Sequence, residues 1–169
     1  SQRVEIIIEH FRMNVMNELG GQAKAMVVTS SRAEAVKYRQ AFEDYVTRKG
    51  YKDIHALVAF SGKVAGKSVD KAFAGTEFSE SSMNGFSEDK TAKVFDTGDY
   101  QVLIVANKYQ TGFDQPKLCA MYILKKLRGV NAVQTLSRLN RTCDPYDKKV
   151  FILDFMNEYE DIIKAFEPY

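Results

Sequence analysis

The sequence predicts an α/β domain with three layers, helices on both faces of a mainly parallel sheet. Three observations lead there. Short apolar runs recur at 25–28, 54–60 (interrupted at His55), 102–105, 120–124 and 150–153. Segments with helical spacing alternate with them. His55 aside, the runs are apolar throughout, where a half-exposed strand would alternate apolar with polar. That marks strands covered on both faces, the habit of parallel sheets.

Each element follows from local chemistry. Val4, Ile7, Ile8, Phe11, Val15 and Leu19 recur at helical intervals, so a leading helix is expected until Gly20-Gly21 stops it. Ala25 to Val28 reads as the first strand. Ser31 with Glu34 three residues later is a capping-box signature, opening a helix over 33–48. Ile54 to Phe60 is the second strand. Residues 61–86 are rich in Gly, Ser and Lys with weak periodicity and read as a long loop. Such a loop in a compact domain calls for a functional reason or disorder. Ser87 to Phe95 suits a short helix. Val102 to Val105 and Ala120 to Leu124 are further strands. Val130 to Arg141 is a helix, Val150 to Leu153 a strand and Glu158 to Phe166 a last helix.

Composition sets bounds. At 169 residues one domain, 1–169, is expected. A chain of about 150 residues hides roughly 70% of its unfolded surface, enough for a core without staples. A net charge of +2 does not by itself argue for nucleic acid. Cys119 and Cys143 form no paired motif and read as thiols of a reducing compartment, not as a disulfide or metal site. His10 and His55 stand alone, so no metal site is expected. No apolar run reaches the roughly 18 residues of a membrane span, and no signal-peptide pattern opens the chain. The chain starts at Ser1, which suits an excerpt of a longer polypeptide, and equally a processed or engineered terminus.

Three motifs stand at strand ends or on helices. Val27-Val28-Thr29-Ser30-Ser31-Arg32 puts hydroxyls and an arginine at a helix N-terminus, where orphan N–H groups favour a phosphate. Plain N-capping by Ser30 or Ser31 explains the same residues. In Val102 to Pro116 a buried strand runs into Thr111-Gly112-Phe113-Asp114-Gln115-Pro116. Gly112 allows close backbone approach, Asp114 suits a ribose hydroxyl or an arginine, and Thr111 suits a phosphate. A simple turn uses the same residue types. In Gln134 to Arg141, Gln134, Arg138 and Arg141 fall at i, i+4 and i+7 on one helical face, with Ala132, Leu136 and Leu139 opposite. Guanidiniums suit phosphate oxygens, although most charged helix faces are simply solvated.

A fourth pattern is a decoy. Gly62-Lys63-Val64-Ala65-Gly66-Lys67-Ser68 is like a phosphate-binding loop, but three residues separate its glycines where that loop needs four. Were it one, Asp154 would serve as its magnesium partner. Otherwise Asp154 is a strand-end cap.

In this order the three motifs resemble the second RecA-like motor domain of superfamily 2 helicases. Val27 to Arg32 stands in that family's motif IV region, Val102 to Pro116 at motif V and Gln134 to Arg141 at motif VI. Thr111 to Pro116 and Gln134 to Arg141 are closer still to the restriction (R) subunit of type I restriction–modification enzymes. Ala59-Phe60-Ser61-Gly62, Thr76-Glu77 and Met83-Asn84-Gly85-Phe86 resemble that subunit's spacing before motif V. The likeness covers about residues 4–160. Ser137 and Asn140 stand where many helicases carry glycine.

The resemblance implies roles. Arg141 matches the arginine finger, Arg138 its companion, and Gln134 the glutamine that orients the nucleotide-facing network. Gly112 and Asp114 match positions near the nucleotide. Ser30, Arg32 and Thr111 match regions touching the DNA backbone. It further implies ATP and Mg2+, held mainly by a first motor domain that this sequence lacks. The implied partners are double-stranded DNA, the first motor and nuclease domains of the same polypeptide, and methyltransferase and specificity subunits. The implied setting is a bacterial or archaeal cytoplasm, without a membrane. The competing readings are a nucleotide-independent binding module of the same fold and a complete small P-loop phosphotransferase.

Overall fold

The computed structural model describes residues 2–108, 113–157 and 167. Its centre is a five-stranded, all-parallel sheet of β1 (Lys24–Thr29), β2 (Ala56–Phe60), β5 (Val102–Ala106), β6 (Leu118–Leu124) and β7 (Phe151–Asp154). The order is β2-β5-β1-β6-β7. Every residue of β1, β2, β5 and β6 is buried, as continuous apolarity required.

Strand alternation sorts the interior into two cores. Ala25, Val27, Val58, Ile104 and Tyr122 point to one face, where α1 (Gln2–His10) and α2 (Arg32–Lys49) contribute Ile7, Ile8, Val36 and Phe42. Met26, Val28, Leu57, Leu103 and Ile123 point to the other, against Phe95 of α4 (Thr91–Phe95) and Leu136 of α5 (Val130–Leu136). The three-layer α/β/α expectation is met.

Ser31 is the N-cap of α2: its hydroxyl accepts from the Glu34 N–H at 3.1 Å. The leading helix is less regular than its spacing suggests. After His10 it widens into a π turn, Phe11–Val15, and a 3-10 turn, Glu18–Gly21, follows. The wide turn keeps Phe11 and Val15 both buried.

The expected long loop over 61–86 is corrected. It is an ordered insertion, with an antiparallel hairpin of β3 (Lys63–Ala65) and β4 (Glu77–Ser79), two 3-10 turns, and α3 (Glu80–Asn84). Its elements are three to five residues long, too short for either periodicity to register. Val64 and Val69 join the α1/α2 core, and Phe73, Phe78 and Met83 pack on it.

The phosphate-loop decoy lies here and fails on geometry. Gly66 closes the hairpin: its N–H donates to the Thr76 carbonyl at 2.6 Å, and a Cβ would stand 2.1 Å from the Phe73 carbonyl oxygen. Lys63–Ala65 is a strand, and the short 3-10 turns Gly66–Ser68 and Lys71–Phe73 follow it in place of a helix. A phosphate-binding loop needs a free run of N–H groups opening a helix.

The segment over 130–141 is also corrected. α5 ends at Leu136, Ser137–Asn140 is a 3-10 turn, and Arg141 is extended at φ −70°, ψ 132°. Gln134, Arg138 and Arg141 therefore do not share one continuous α-helical face. Ala132, Leu136 and Leu139 are buried as expected. The last expected helix, 158–166, lies outside the described residues.

Candidate functional site

Because the central strands are parallel, their carboxyl ends open along one edge. Ligands of open α/β sheets bind there. Ser30 to Arg32, Ser61-Gly62, Asn107-Lys108, Lys125 and Phe155 to Asn157 follow β1, β2, β5, β6 and β7 in turn. Asp154 is a local cap: its Oδ1 accepts from the Met156 and Asn157 N–H groups, both at 2.9 Å. The Asn157 side chain bridges the turn after β6, donating to the Lys125 carbonyl at 2.9 Å and accepting from the Leu127 N–H at 2.8 Å. The Lys125 ammonium donates to Asn107 Oδ1 at 3.1 Å.

The two arginines meet the segment that precedes β6. Arg138 Nη1 donates to the Phe113 carbonyl at 3.0 Å. Arg141 Nη1 lies 3.2 Å from Asp114 Oδ2. Asp114 and Arg141, expected at motifs V and VI, are thus in contact. Thr111 and Gly112 lie outside the described residues, and Gln134 is exposed.

The arginines differ in setting. Arg138 is half-buried, and its Nη2 is shielded without a hydrogen-bond partner among the described residues. Burial lowers its pKa, though a guanidinium remains charged at neutral pH. Arg141 is exposed, and so is its partner, at 58% and 56% of their side chains. One orphaned guanidinium donor and one guanidinium held by a weak surface pair form a donor set that fits anionic phosphate oxygens.

Gln115, within the same motif, was not singled out by sequence. It is buried, and its amide donates to Asp96 Oδ1 at 2.9 Å. That bond is the foremost reason the Asp96 carboxyl lies below its ordinary range; Lys117 adds to it. The segment between β5 and β6 is thereby pinned near β6.

At the other motif, Ser30 is exposed and Ser31 caps α2. Arg32 Nη1 donates to the Ser61 carbonyl at 3.3 Å. The Ser30–Arg32 turn is thus tied to the start of the insertion.

Sequence reasoning also missed Glu80. Its side chain is fully buried. Oε1 accepts from the Phe60 N–H at 2.9 Å and from the Lys108 ammonium at 2.7 Å, and Oε2 accepts from the Thr91 hydroxyl. Asn84 completes this edge, pairing its amide with the Val58 N–H and carbonyl at 3.0 and 2.7 Å. The Ser79–Ser82 capping box was the available signal that a helix starts at Glu80.

Comparison with known proteins gives this arrangement a family. Residues 67–157, more than half of the chain, match the family described as type I restriction enzyme subunit R domain 3. The chain belongs to the type I restriction enzyme R-subunit family. It is 31% identical over 166 residues to a protein of Methanocaldococcus jannaschii named as the endonuclease subunit of type I restriction enzyme MjaIXP, covering 96% of this chain and 14% of that one. It is 28% identical over 135 residues to the corresponding MjaVIIP subunit of that organism, covering 76% and 12%. The chain thus spans about one-seventh of its relatives' length.

Solved structures agree on the fold. The C-terminal domain of the DEAD-box protein Dbp5 matches at TM-score 0.54 and 13% identity, over 99% of this chain and 80% of that one. The DNA-bound, ATP-dependent type ISP restriction–modification enzyme LlaBIII matches at TM-score 0.54 and 21% identity, over 89% and 9%. The fold is that of helicase C-terminal, RecA-like domains. No described helix is long and apolar enough to cross a membrane, and no cluster of His, Cys, Asp and Glu among the described residues would hold a metal ion.

Proposed function

We propose that this chain is the second motor domain of the ATP-dependent, double-stranded-DNA translocase within a type I restriction R subunit. The observation that carries the reading is the meeting of the two motifs: Arg138 on the Phe113 carbonyl and Arg141 on Asp114. Phosphate-directed arginines and the loop expected to approach the nucleotide form one unit.

In this reading a first motor domain of the same polypeptide holds ATP and Mg2+. ATP supplies the transferable γ-phosphoryl group. This chain contributes charge: Arg141 exchanges Asp114 for phosphate oxygens and stabilises the negative charge that develops there. Arg138 holds the loop and offers its spare donor. Gln134, Gly112 and Asp114 line the nucleotide side. Ser30, Arg32 and Thr111 face the DNA backbone, where contacts are independent of sequence and sensitive to salt. Sequence choice then belongs to a specificity subunit, methylation to a methyltransferase subunit and cleavage to a nuclease domain. The assembly works in a bacterial or archaeal cytoplasm.

The test is Arg141→Ala in the full-length subunit. ATP-driven translocation and hydrolysis are expected to be lost while DNA binding persists. Hydrolysis near the parent rate overturns the role of Arg141 and leaves a nucleotide-independent binding module of this fold.

A further inference from the structure

We propose that Glu80 is a positioning residue for the loop after β5, and that its ion pair with Lys108 couples the 61–85 insertion to the motor's response to DNA. The inference rests on the motor reading above.

Glu80 is fully buried and takes donors from three places: the Phe60 N–H at the end of β2, the Thr91 hydroxyl at the start of α4, and the Lys108 ammonium two residues beyond β5. A buried carboxylate is costly even when paired, and packed neutral groups often stabilise as well. The Phe60 N–H needs only an acceptor, and the Thr91 hydroxyl either donates or accepts. A glutamine satisfies both. The negative charge is required only by Lys108.

In sequence, Lys108 stands three residues before Thr111, the first of the residues proposed for DNA and nucleotide, with Gly112 and Asp114 after it. Its ammonium is held at 2.7 Å while a fifth of its side chain remains exposed. Next to it Asn107 takes the unusual φ of 49°, and its side chain accepts from Lys125. The start of the loop is therefore fixed from two sides. The far end is fixed separately, by Gln115 on Asp96 and Arg138 on Phe113. The carboxylate that holds Lys108 belongs to α3, and α3 closes an insertion tied through Ser61 to Arg32. The Ser30–Arg32 turn and the insertion are thus linked to the start of the loop through the Arg32–Ser61 bond and the buried ion pair. Such a route is physical only if breaking it changes coupling without unfolding the domain.

The experiment uses the full-length R subunit in its assembled complex and measures ATP hydrolysis with and without double-stranded DNA. Glu80→Gln is expected to lower the DNA-stimulated kcat by about tenfold. Basal hydrolysis and KM for ATP are expected to stay near parent values, while the thermal midpoint falls with loss of the buried pair. Lys108→Met should reproduce the loss, the double variant should lose no more than either single one, and Lys108→Arg should restore much of it. DNA stimulation within about twofold of the parent in Glu80→Gln overturns the proposal, as do additive losses in the double variant. A fall in basal rate that parallels the fall in stimulation, measured well below the thermal midpoint of every variant, overturns it in favour of a purely structural carboxylate. Failure of the motor reading looks different: the parent itself shows no DNA-stimulated hydrolysis, or Arg141→Ala retains it, and the coupling role falls with it.

Discussion

The segment between β5 and β6 is gripped at both ends, and the two grips are unlike. Near its start, the Lys108 ammonium meets a carboxylate with no exposed surface. Near its end, Arg141 meets Asp114 with more than half of each side chain in solvent. A buried pair is strongly destabilising to break, because one charge is left unmatched. An exposed pair contributes about 0–1 kcal/mol and is screened by salt. The contrast divides labour: one end is anchored, and the other holds its guanidinium loosely enough for a phosphate to displace the carboxylate. In an arginine that serves a ligand, a weak internal partner is an asset.

The largest expected effect lies at the loose end. Arg141→Ala should reduce ATP hydrolysis by about 10³–10⁵, roughly 4–7 kcal/mol of barrier. Single-turnover rates of the assembled enzyme measure this. A loss below about tenfold places Arg141 among ordinary surface arginines, and the comparison then has no functional meaning.

Glu80→Ala tests the anchored end. It strands the Phe60 N–H and the Thr91 hydroxyl and takes the carboxylate away from the Lys108 ammonium. The expected loss is about 3–5 kcal/mol of folding stability, read as the shift in a urea midpoint. A loss under about 1 kcal/mol equates the two grips and removes the basis for calling one an anchor.

The contrast was only half legible in the sequence. The sheet was readable because β5, β6 and the Ala25–Val28 stretch of β1 are continuously apolar and buried, so composition alone marks them. Arg138, Arg141 and Asp114 were readable because their spacing and residue types sit at a strand end and beside a helix. Glu80, Lys108, Asn84 and Gln115 were not. Each does its work across the fold: Glu80 on Lys108 and Asn84 on Val58 are separated by 28 and 26 residues. No local pattern announces a partner so far away. The insertion was misread as a loop because its ordering comes from Val64, Phe73 and Phe78 reaching the core, and from those same distant bonds. The end of α5 was misjudged because a 3-10 turn keeps nearly the same apolar spacing as an α-helix over four residues.

A third ion asks whether burial by itself sets the strength of a grip. Lys24, at the amino end of the central strand β1, is 3% exposed and donates to the Thr97 carbonyl at 2.7 Å and to the Tyr100 carbonyl. Loss of hydration, with Lys117 nearby, brings its pKa down from 10.5 to about 8. The unfolded chain then holds this proton more tightly than the folded one. Between pH 8 and 10.5 this group makes folding stability rise with pH, and below pH 8 its contribution stays at its lowest level. Thermal midpoints of the parent relative to Lys24→Met should therefore climb from pH 8 to 10. A flat difference means that the two carbonyls and the Phe95 ring, 4.9 Å away, restore what hydration supplied. Burial with carbonyl partners, and with Asp96 and Asp99 acting only from a distance, would then be no weaker a grip than Glu80 on Lys108.

The smallest effect sharpens the comparison most. Asp114→Ala removes the surface partner of Arg141 while leaving Phe113 and Gln115 to hold the end of the loop. The expected loss of stability is about 0–1 kcal/mol. It should shrink further in about 1 M salt, where the screening length falls to about 3 Å. Parallel urea titrations at low and high salt read both quantities. A loss above about 2 kcal/mol that persists in salt makes Asp114–Arg141 a structural lock. Arg141 could not then leave its carboxylate for a phosphate at modest cost, and the loose end would be as fixed as the anchored one.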